Sequence, residues 1–300
     1  MLMKYLAAER ASARTSAESK GIMQAQNWVL ITGCSTGIGR ALVDVCREFG
    51  WGVIATARTP DSLADMRDGI DLLKVRLDVA DMDSIQSAVR AVEHLPLRAL
   101  INNAGYGQMG PLEALRPEEL RAQLETNVIG LHAVTYAFLP LIKQRRLGEG
   151  RIVHVASVLG RLSIPMAGAY NASKHAVVAL AETLRLEIGR EIPVILVEPG
   201  AIQSKFRVTV KNAWGDLPQR VAGTPYQLTV DRYANKREEY AGKHGMSADD
   251  CALKIFRAMN AKHPPRRVIV GADSYWSQLA HKVIPAPIWE YALRRMYSLL

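Results

Sequence analysis

Between Asn27 and Val197, short runs of β-branched and aliphatic residues alternate with longer stretches whose apolar positions recur at helical spacing. Short, almost wholly apolar runs mark strands buried on both faces, and the stretches between them supply the crossovers of βαβ units. The pattern predicts strands at WVLIT (28–32), GVIAT (52–56), DLLKVRL (71–77), RALIN (98–102), RIVHVAS (151–157), IPVILVE (192–198) and RRVIVG (266–271). Helices are predicted from about Gly39 to Phe49, Met82 to His94, Pro117 to Arg146, Ala169 to Arg190 and Ala248 to Asn260. The fold class is therefore α/β: a doubly wound, mostly parallel, seven-stranded sheet of Rossmann type, with right-handed crossovers placing helices on both faces.

Two segments depart from this alternation. Residues 201–246 carry scattered charges punctuated by Gly215, Pro218, Gly223, Pro225 and Gly242. A connection this long in a compact domain is usually functional, and it is expected to act as a substrate lid. Residues 272–300, with Trp276, Trp289, Arg294 and Arg295, read as short amphipathic helices that cover the substrate site, a partner subunit or a membrane surface. The first 26 residues carry Lys4, Glu9, Arg10 and Arg14, lack the apolar core of a signal peptide, and are expected to be a disordered extension. Met23 would serve equally well as a start. The expected organisation is thus an extension (1–26), a catalytic domain (27–271) containing the lid, and a helical tail (272–300).

A chain of 300 residues that is 49% apolar can bury a large core. Its net charge of +9 comes from basic residues spread along the sequence without clustering, so a nucleic-acid partner is not expected. Cys34, Cys46 and Cys251 are odd in number and lack metal-ligand spacing, which fits reduced thiols, a cytoplasmic location and neither zinc nor a disulfide framework. No apolar run approaches the ~18 residues of a membrane span.

Directly after the first strand stands TGCSTGIG (32–39), with Gly33, Gly37 and Gly39 spaced G-x-x-x-G-x-G and not G-x-G-x-x-G. Glycines let the backbone turn tightly against a pyrophosphate while the following helix points unbonded N–H groups at the anion. Thr32, Ser35 and Thr36 add hydroxyls, and Ile38 completes the turn. An ordinary strand-to-helix turn can also be glycine-rich, but this one opens the first βαβ unit, where dinucleotides bind. Cys34 within it is either a reactive thiol near a helix N-terminus or simply a small residue.

In dinucleotide folds a carboxylate at the end of the second strand accepts the ribose hydroxyls. Here the strand ends in Ala57 and Arg58. An arginine fork in place of the carboxylate suits a 2′-phosphate, favouring NADP(H) over NAD(H), unless Arg58 is a solvated loop residue. Asp78, after the third strand, is placed either to bond an adenine amino group or to cap the next helix.

Tyr170-Asn171-Ala172-Ser173-Lys174 places a tyrosine and a lysine four residues apart at the start of a helical stretch, on one face and roughly 5–6 Å apart. An ammonium at about 5 Å in an effective dielectric near 20 is worth about 3 kcal/mol, roughly 2 pK units on the phenol. A tyrosine so shifted can act as acid or base near neutrality.

TGCSTGIG, NNAG (102–105), Asn127, Ser157, YNASK (170–174) and PG (199–200), in this order over residues 27 to about 204, closely resemble the short-chain dehydrogenase/reductase family. The VIATAR second strand and the long segment after the sixth strand are similar to its hydroxysteroid and retinol dehydrogenases. The resemblance implies hydride transfer between a nicotinamide and a hydroxyl or carbonyl carbon. It makes Tyr170 the acid/base; Lys174 lowers the Tyr170 pKa and holds the nicotinamide ribose. Ser157 fixes and polarises the substrate oxygen, and Asn127 holds a water linking Lys174 to solvent. By the same resemblance, Asn102, Asn103, Ala104 and Gly105 stabilise the central sheet and border the adenosine. Pro199 and Gly200 close on the nicotinamide, Ile202 follows in the same loop, and Ser204, where many members carry threonine, offers its hydroxyl to the carboxamide or pyrophosphate. His154 reads as a packed core residue and His132 as mid-helix, neither with a catalytic role.

Tyr106, Met109, Leu159, Leu162, Met166 and Phe206 are expected to face the nicotinamide pocket, pointing to an apolar secondary alcohol (steroid, retinoid or lipid-like) or its carbonyl. Two other classes compete: a non-catalytic NAD(P)-sensing regulator on the same fold, and a peripheral enzyme held weakly at a membrane by its tail. The resemblance further implies a homo-oligomer through the helices at 117–146 and 169–190.

Overall fold

The computed structural model describes residues 25–232 and 245–299. The expected N-terminal extension falls outside the described residues except for Ala25 and Gln26, as does the part of the expected lid at 233–244.

The strands β1 (Trp28–Ile31), β2 (Gly52–Ala57), β3 (Leu72–Arg76), β4 (Leu97–Asn102), β5 (Arg151–Val155) and β6 (Val194–Pro199) form a single sheet with a seventh strand, Arg267–Val270. The order is β3-β2-β1-β4-β5-β6 and then the seventh strand, every pairing parallel. Every residue of β1, β2, β5 and β6 is buried, which is why their sequences are mainly apolar without regular polar alternation, Thr56, Arg151, His154 and Glu198 being the buried polar exceptions. Strand geometry sends alternate side chains to opposite faces. Val29, Ile31, Val53 and Val153 face α1 (Gly37–Glu48) and the helix Ala248–Asn260. Leu30, Ile54, Leu100 and Ile152 face α2 (Met82–Val92) and the helical stretch that follows β4.

The predicted helix at 117–146 is not one helix. It runs as α3 (Pro117–Leu124), a π-turn (Glu125–Ile129) and α4 (Gly130–Lys143). A π-turn adds a single residue to one turn, a phase shift too local to stand out in the apolar pattern of so long a stretch. α5 spans Gly168–Ile188. Predicted strand ends that ran into turns are shorter in the structure: β5 stops at Val155 and leaves Ser157 in an extended turn. The cap of α2 is Asp81, whose Oδ1 accepts the N–H groups of Asp83 (3.0 Å) and Ser84 (3.2 Å). Asp78 is therefore not the helix cap; its carboxylate accepts from Ala80 N at 3.1 Å, in the turn before.

The described part of 201–246 is not structureless. β7 (Ile202–Gln203) leads into α6 (Phe206–Ala213), α7 (Leu217–Arg220) and a helical run at 227–232. β8 (Met246–Ser247) pairs parallel with β7 and enters α8 (Ala248–Asn260), capped by Ser247. Phe49 and Phe256 stack at 4.7 Å, joining α8 to the end of α1. After β9 (Arg267–Val270), the tail forms α9 (Ala272–Val283) and α10 (Ala286–Met296). Among the described residues no helix is long and apolar enough to cross a membrane.

Candidate active site

The strand order reverses between β1 and β4, and in open α/β sheets the crevice beyond the carboxyl ends of the strands at this point is where ligands bind. A cleft of about 1590 Å³ opens here. Single-ligand pockets run to roughly 1,000 Å³, so the cleft has room for a dinucleotide and a substrate side by side.

Its floor begins with the glycine turn. Gly33 has φ +72°, and a Cβ there would sit 2.9 Å from Ala104 Cα; a Cβ on Gly39 would sit 2.2 Å from the Gly33 carbonyl. Any larger residue at either place would push the turn off the strand. Gly39 packs beneath the turn and does not line the cleft, whereas Gly33, Ser35, Thr36, Gly37 and Ile38 do. Thr36, extended at the N-cap of α1, makes no side-chain cap, so the helix meets the cleft with amides available to an anion. Thr32 points inward: its Oγ1 accepts from Asn103 N and Ala104 N, both at 2.9 Å, while Asn103 Nδ2 donates to the carbonyls of Thr32 and Gly33. Its hydroxyl thus fastens β4 to the turn and is not a ligand donor. Asn102 is buried, donating to Thr135 Oγ1 at 2.9 Å. Asn103, Ala104, Gly105, Ala57, Arg58 and Asp78 line the adenosine end of the cleft expected from the sequence.

Cys34 is buried under the turn, donating to the Ile31 carbonyl, and burial pushes its thiol up to about 12. The reactive-thiol reading is corrected: a thiol held protonated is not a nucleophile. His154 is a core residue as expected, with burial pulling its imidazole down to about 3.

At the other end, Ser157, Tyr170 and Lys174 meet. Ser157 follows β5 in an extended conformation, its Oγ accepting from Leu159 N at 3.1 Å. Tyr170 lies in the first turn of α5 with its ring 5.7 Å from that of Phe206. Lys174 Nζ sits 5.7 Å from the Tyr170 ring centre and donates to the Val155 carbonyl at 2.9 Å. Burial lowers the Lys174 pKa to about 8. Asn127 stands in the π-turn, behind the cleft wall. Its Oδ1 accepts from Tyr106 N (3.1 Å), and its Nδ2 donates to Tyr106 O (3.0 Å) and Ser173 Oγ (3.1 Å).

Residues 27–214 match the family described as short chain dehydrogenase. The chain belongs to the short-chain dehydrogenase family. This short-chain dehydrogenase is 36% identical over 209 residues to the oxidoreductase YbbO of Escherichia coli K12, covering 68% of this chain and 77% of that one. It is 30% identical over 284 residues to human retinol dehydrogenase 5, covering 89% and 87%. Among solved structures, a short chain dehydrogenase/reductase from Burkholderia phymatum in complex with NAD superposes with a TM-score of 0.73, at 26% identity over 87% of this chain and 95% of that one. A short chain dehydrogenase from Burkholderia cenocepacia in complex with NADP gives 0.68, at 25% identity over 92% and 99%.

Pro199, Gly200, Ile202 and Ser204 of the dehydrogenase line the cleft as a group. What holds this turn was not foreseen. Asp273, in the first turn of α9, accepts the N–H of Ala201 through Oδ2 at 2.6 Å and itself lines the cleft. Ser173 was also missed as a site residue; its Oγ donates to the Tyr170 carbonyl at 2.8 Å and joins Asn127 to α5. The Ser in YNASK was visible, but its partner lies 46 residues away. Of the expected pocket wall, Tyr106, Met109, Leu159, Leu162 and Phe206 line the cleft. Met166 does not: with φ +66° it turns into the core and borders a separate hollow beside Leu112 and His175. The tail contributes Trp289, Leu293 and Met296.

Proposed function

We propose that this short-chain dehydrogenase is an NADP(H)-dependent oxidoreductase interconverting an apolar secondary alcohol, of steroid, retinoid or lipid type, and its carbonyl. The observation that carries this reading is the convergence of Ser157, Tyr170 and Lys174 at one end of a cleft whose opposite end carries the glycine turn and Arg58. The neighbours bound to NAD and NADP support a nicotinamide cofactor, and the uncapped start of α1, the space left by Gly33 and the exposed Arg58 fit one carrying a 2′-phosphate. When bound, the nicotinamide supplies or accepts the hydride.

The chain's own groups handle the proton. In reduction, Tyr170 donates its phenolic proton to the substrate oxygen, while the Ser157 hydroxyl bonds that oxygen and stabilises the developing charge. Lys174, ionised below about pH 8 and 5.7 Å from the centre of the Tyr170 ring, places a positive charge beside the phenol, where it favours loss of the phenolic proton. Asn127 commits both amide protons to Tyr106 and Ser173, so it acts as a positioning residue that fixes the first turn of α5; a water would have to be held by its remaining oxygen lone pair or by backbone. A regulator that only senses the nucleotide has no use for this set.

The substrate half of the cleft is walled by Met109, Leu159, Leu162, Phe206, Trp214 and Trp289, which supports an apolar substrate. The described lid helices and the tail form its roof. Ile129, Tyr136 and Leu186 are exposed on the π-turn, α4 and α5, a face that suits the expected homo-oligomer. The test is a spectrophotometric panel with NADPH and NADH against steroid, retinoid and long-chain carbonyls beside small polar ones. Turnover confined to small polar carbonyls, or none with any carbonyl, would overturn the reading.

A further inference from the structure

Helix α9 is amphipathic in the wrong sense for a helix in water. Its inner face is polar: Ser274 and Gln278 are buried, Ser274 Oγ donating to the Glu198 carbonyl at 3.0 Å and Gln278 Nε2 to Ser274 Oγ at 3.2 Å. Its outer face is apolar. Trp276 (63% exposed), Leu279 and Val283 (69% exposed) fall within roughly 60° of one another around the helix at 3.6 residues per turn. The inner polarity has a cause, because Glu198 is a buried carboxylate bonded by Arg161, Arg267 and Gln278, and the helix above it must offer hydrogen bonds. The Trp276 ring meets only that of its exposed neighbour Tyr275, at 5.3 Å, among the ring contacts of the described residues, and the face stays open to solvent.

The next helix also carries exposed apolar side chains. On α10, Ile288 and Tyr291 are exposed beside Arg295, while Trp289 and Leu293 on the adjoining face line the cleft. The 25 residues from Ala272 to Met296 hold seven of the sixteen large apolar side chains exposed among the described residues, so this is a patch and not scatter. The charges exposed with it are Lys282, Arg294 and Arg295 against Glu290, since Asp273 is turned inward to Ala201.

We propose that the outer face of α9 and α10 seats this protein on an anionic lipid surface. Aromatic side chains among exposed aliphatics, flanked by lysine and arginine, are the composition of helices that lie in a bilayer interface. A second copy is a poorer occupant: two-fold pairing would bring two patches of the same net positive charge together, where anionic headgroups would neutralise Lys282, Arg294 and Arg295. Docked this way, the inner face of α10 keeps the cleft mouth next to the acyl boundary. An apolar substrate then enters without crossing water, a consequence that rests on the function proposed above, whereas the docking itself does not.

The experiment is co-sedimentation of the full chain with vesicles of phosphatidylcholine alone and of phosphatidylcholine and phosphatidylserine in equal parts. Each basic side chain near an anionic surface contributes about fivefold in affinity, so the mixed vesicles should bind about tenfold or more tightly, less so at raised salt. Trp276→Ser with Val283→Ser should release the protein from both vesicles, leaving Tm unchanged. Arg294→Gln with Arg295→Gln should abolish the preference for the mixed ones. Absence of binding to either vesicle, or binding that neither double variant alters, would overturn the proposal. So would a dimer in solution that Trp276→Ser with Val283→Ser dissociates, which would make a second copy the occupant. These readouts do not depend on turnover, so they stand or fall apart from the substrate assignment.

Discussion

Replacing Arg58 by alanine tests the cofactor assignment where the structure is most explicit. Arg58 is exposed at the rim of the cleft beside Thr59 and Ser62, which also line it, and it makes no ion pair among the described residues. Its removal therefore breaks no fold contact of that kind, and any change in binding reports on the ligand. A charge-assisted bond to a phosphate contributes about 1.5–3 kcal/mol, and solvent exposure argues for the lower part of that range. With 1.4 kcal/mol equal to a factor of ten, Arg58→Ala should weaken NADPH by about 10- to 30-fold and leave NADH nearly unchanged. Ala57→Asp is a harsher probe than the sequence implied, because Ala57 is buried at the end of β2. The carboxylate would repel a 2′-phosphate and accept free ribose hydroxyls, reversing the preference at some cost in stability. The assay is titration of both cofactors by energy transfer from protein tryptophan, at one fixed salt concentration, for the wild type and each variant. An Arg58→Ala protein that discriminates as the wild type does would refute the reasoning and leave Arg58 a solvated bystander.

Tyr170→Phe should keep cofactor affinity while lowering kcat by at least about 10²–10⁴-fold, the usual worth of a general acid; cofactor titration and turnover measured together check this. Cofactor affinity should fall as pH rises through about 8, because the buried Lys174 ammonium loses its proton there; the fall should be absent in Lys174→Ala, compared by binding across that range. Asp273→Ala removes the acceptor for Ala201 N and should weaken the cofactor about 5- to 10-fold, whereas Asp273→Asn, which keeps an acceptor oxygen, should restore most of it, as separate KM and kcat values will reveal. His154 is neutral in the fold down to about pH 3, while the unfolded imidazole takes up its proton near 6.5. Stability from this residue is therefore complete above 6.5 and lost at up to about 1.4 kcal/mol per unit as pH falls toward 3, and denaturant melts should give His154→Gln a shallower acid slope.

The fold class was legible because a parallel sheet writes itself into the chain as apolar runs separated by helical crossovers, a signal each segment carries alone. The glycine turn and the Tyr170–Lys174 pair were legible for the same reason: a turn beside its strand, and two residues four apart on one helix, are neighbours whatever the rest of the chain does. Arg58 at the end of β2 belongs with them. Other features depended on which elements the crossovers bring together. The inward turn of Thr32 is set by the backbone of β4, 71 residues on, and the grip of Asp273 on Ala201 spans 72. The π-turn at Asn127, the burial of Met166 and the tail over the cleft likewise follow from packing against distant neighbours. Helix α9 makes the point most plainly. Its periodicity announced an amphipathic helix but not which face turns inward; the buried Glu198 carboxylate, which only the assembled sheet puts beneath it, draws the polar face down and leaves the apolar face outside.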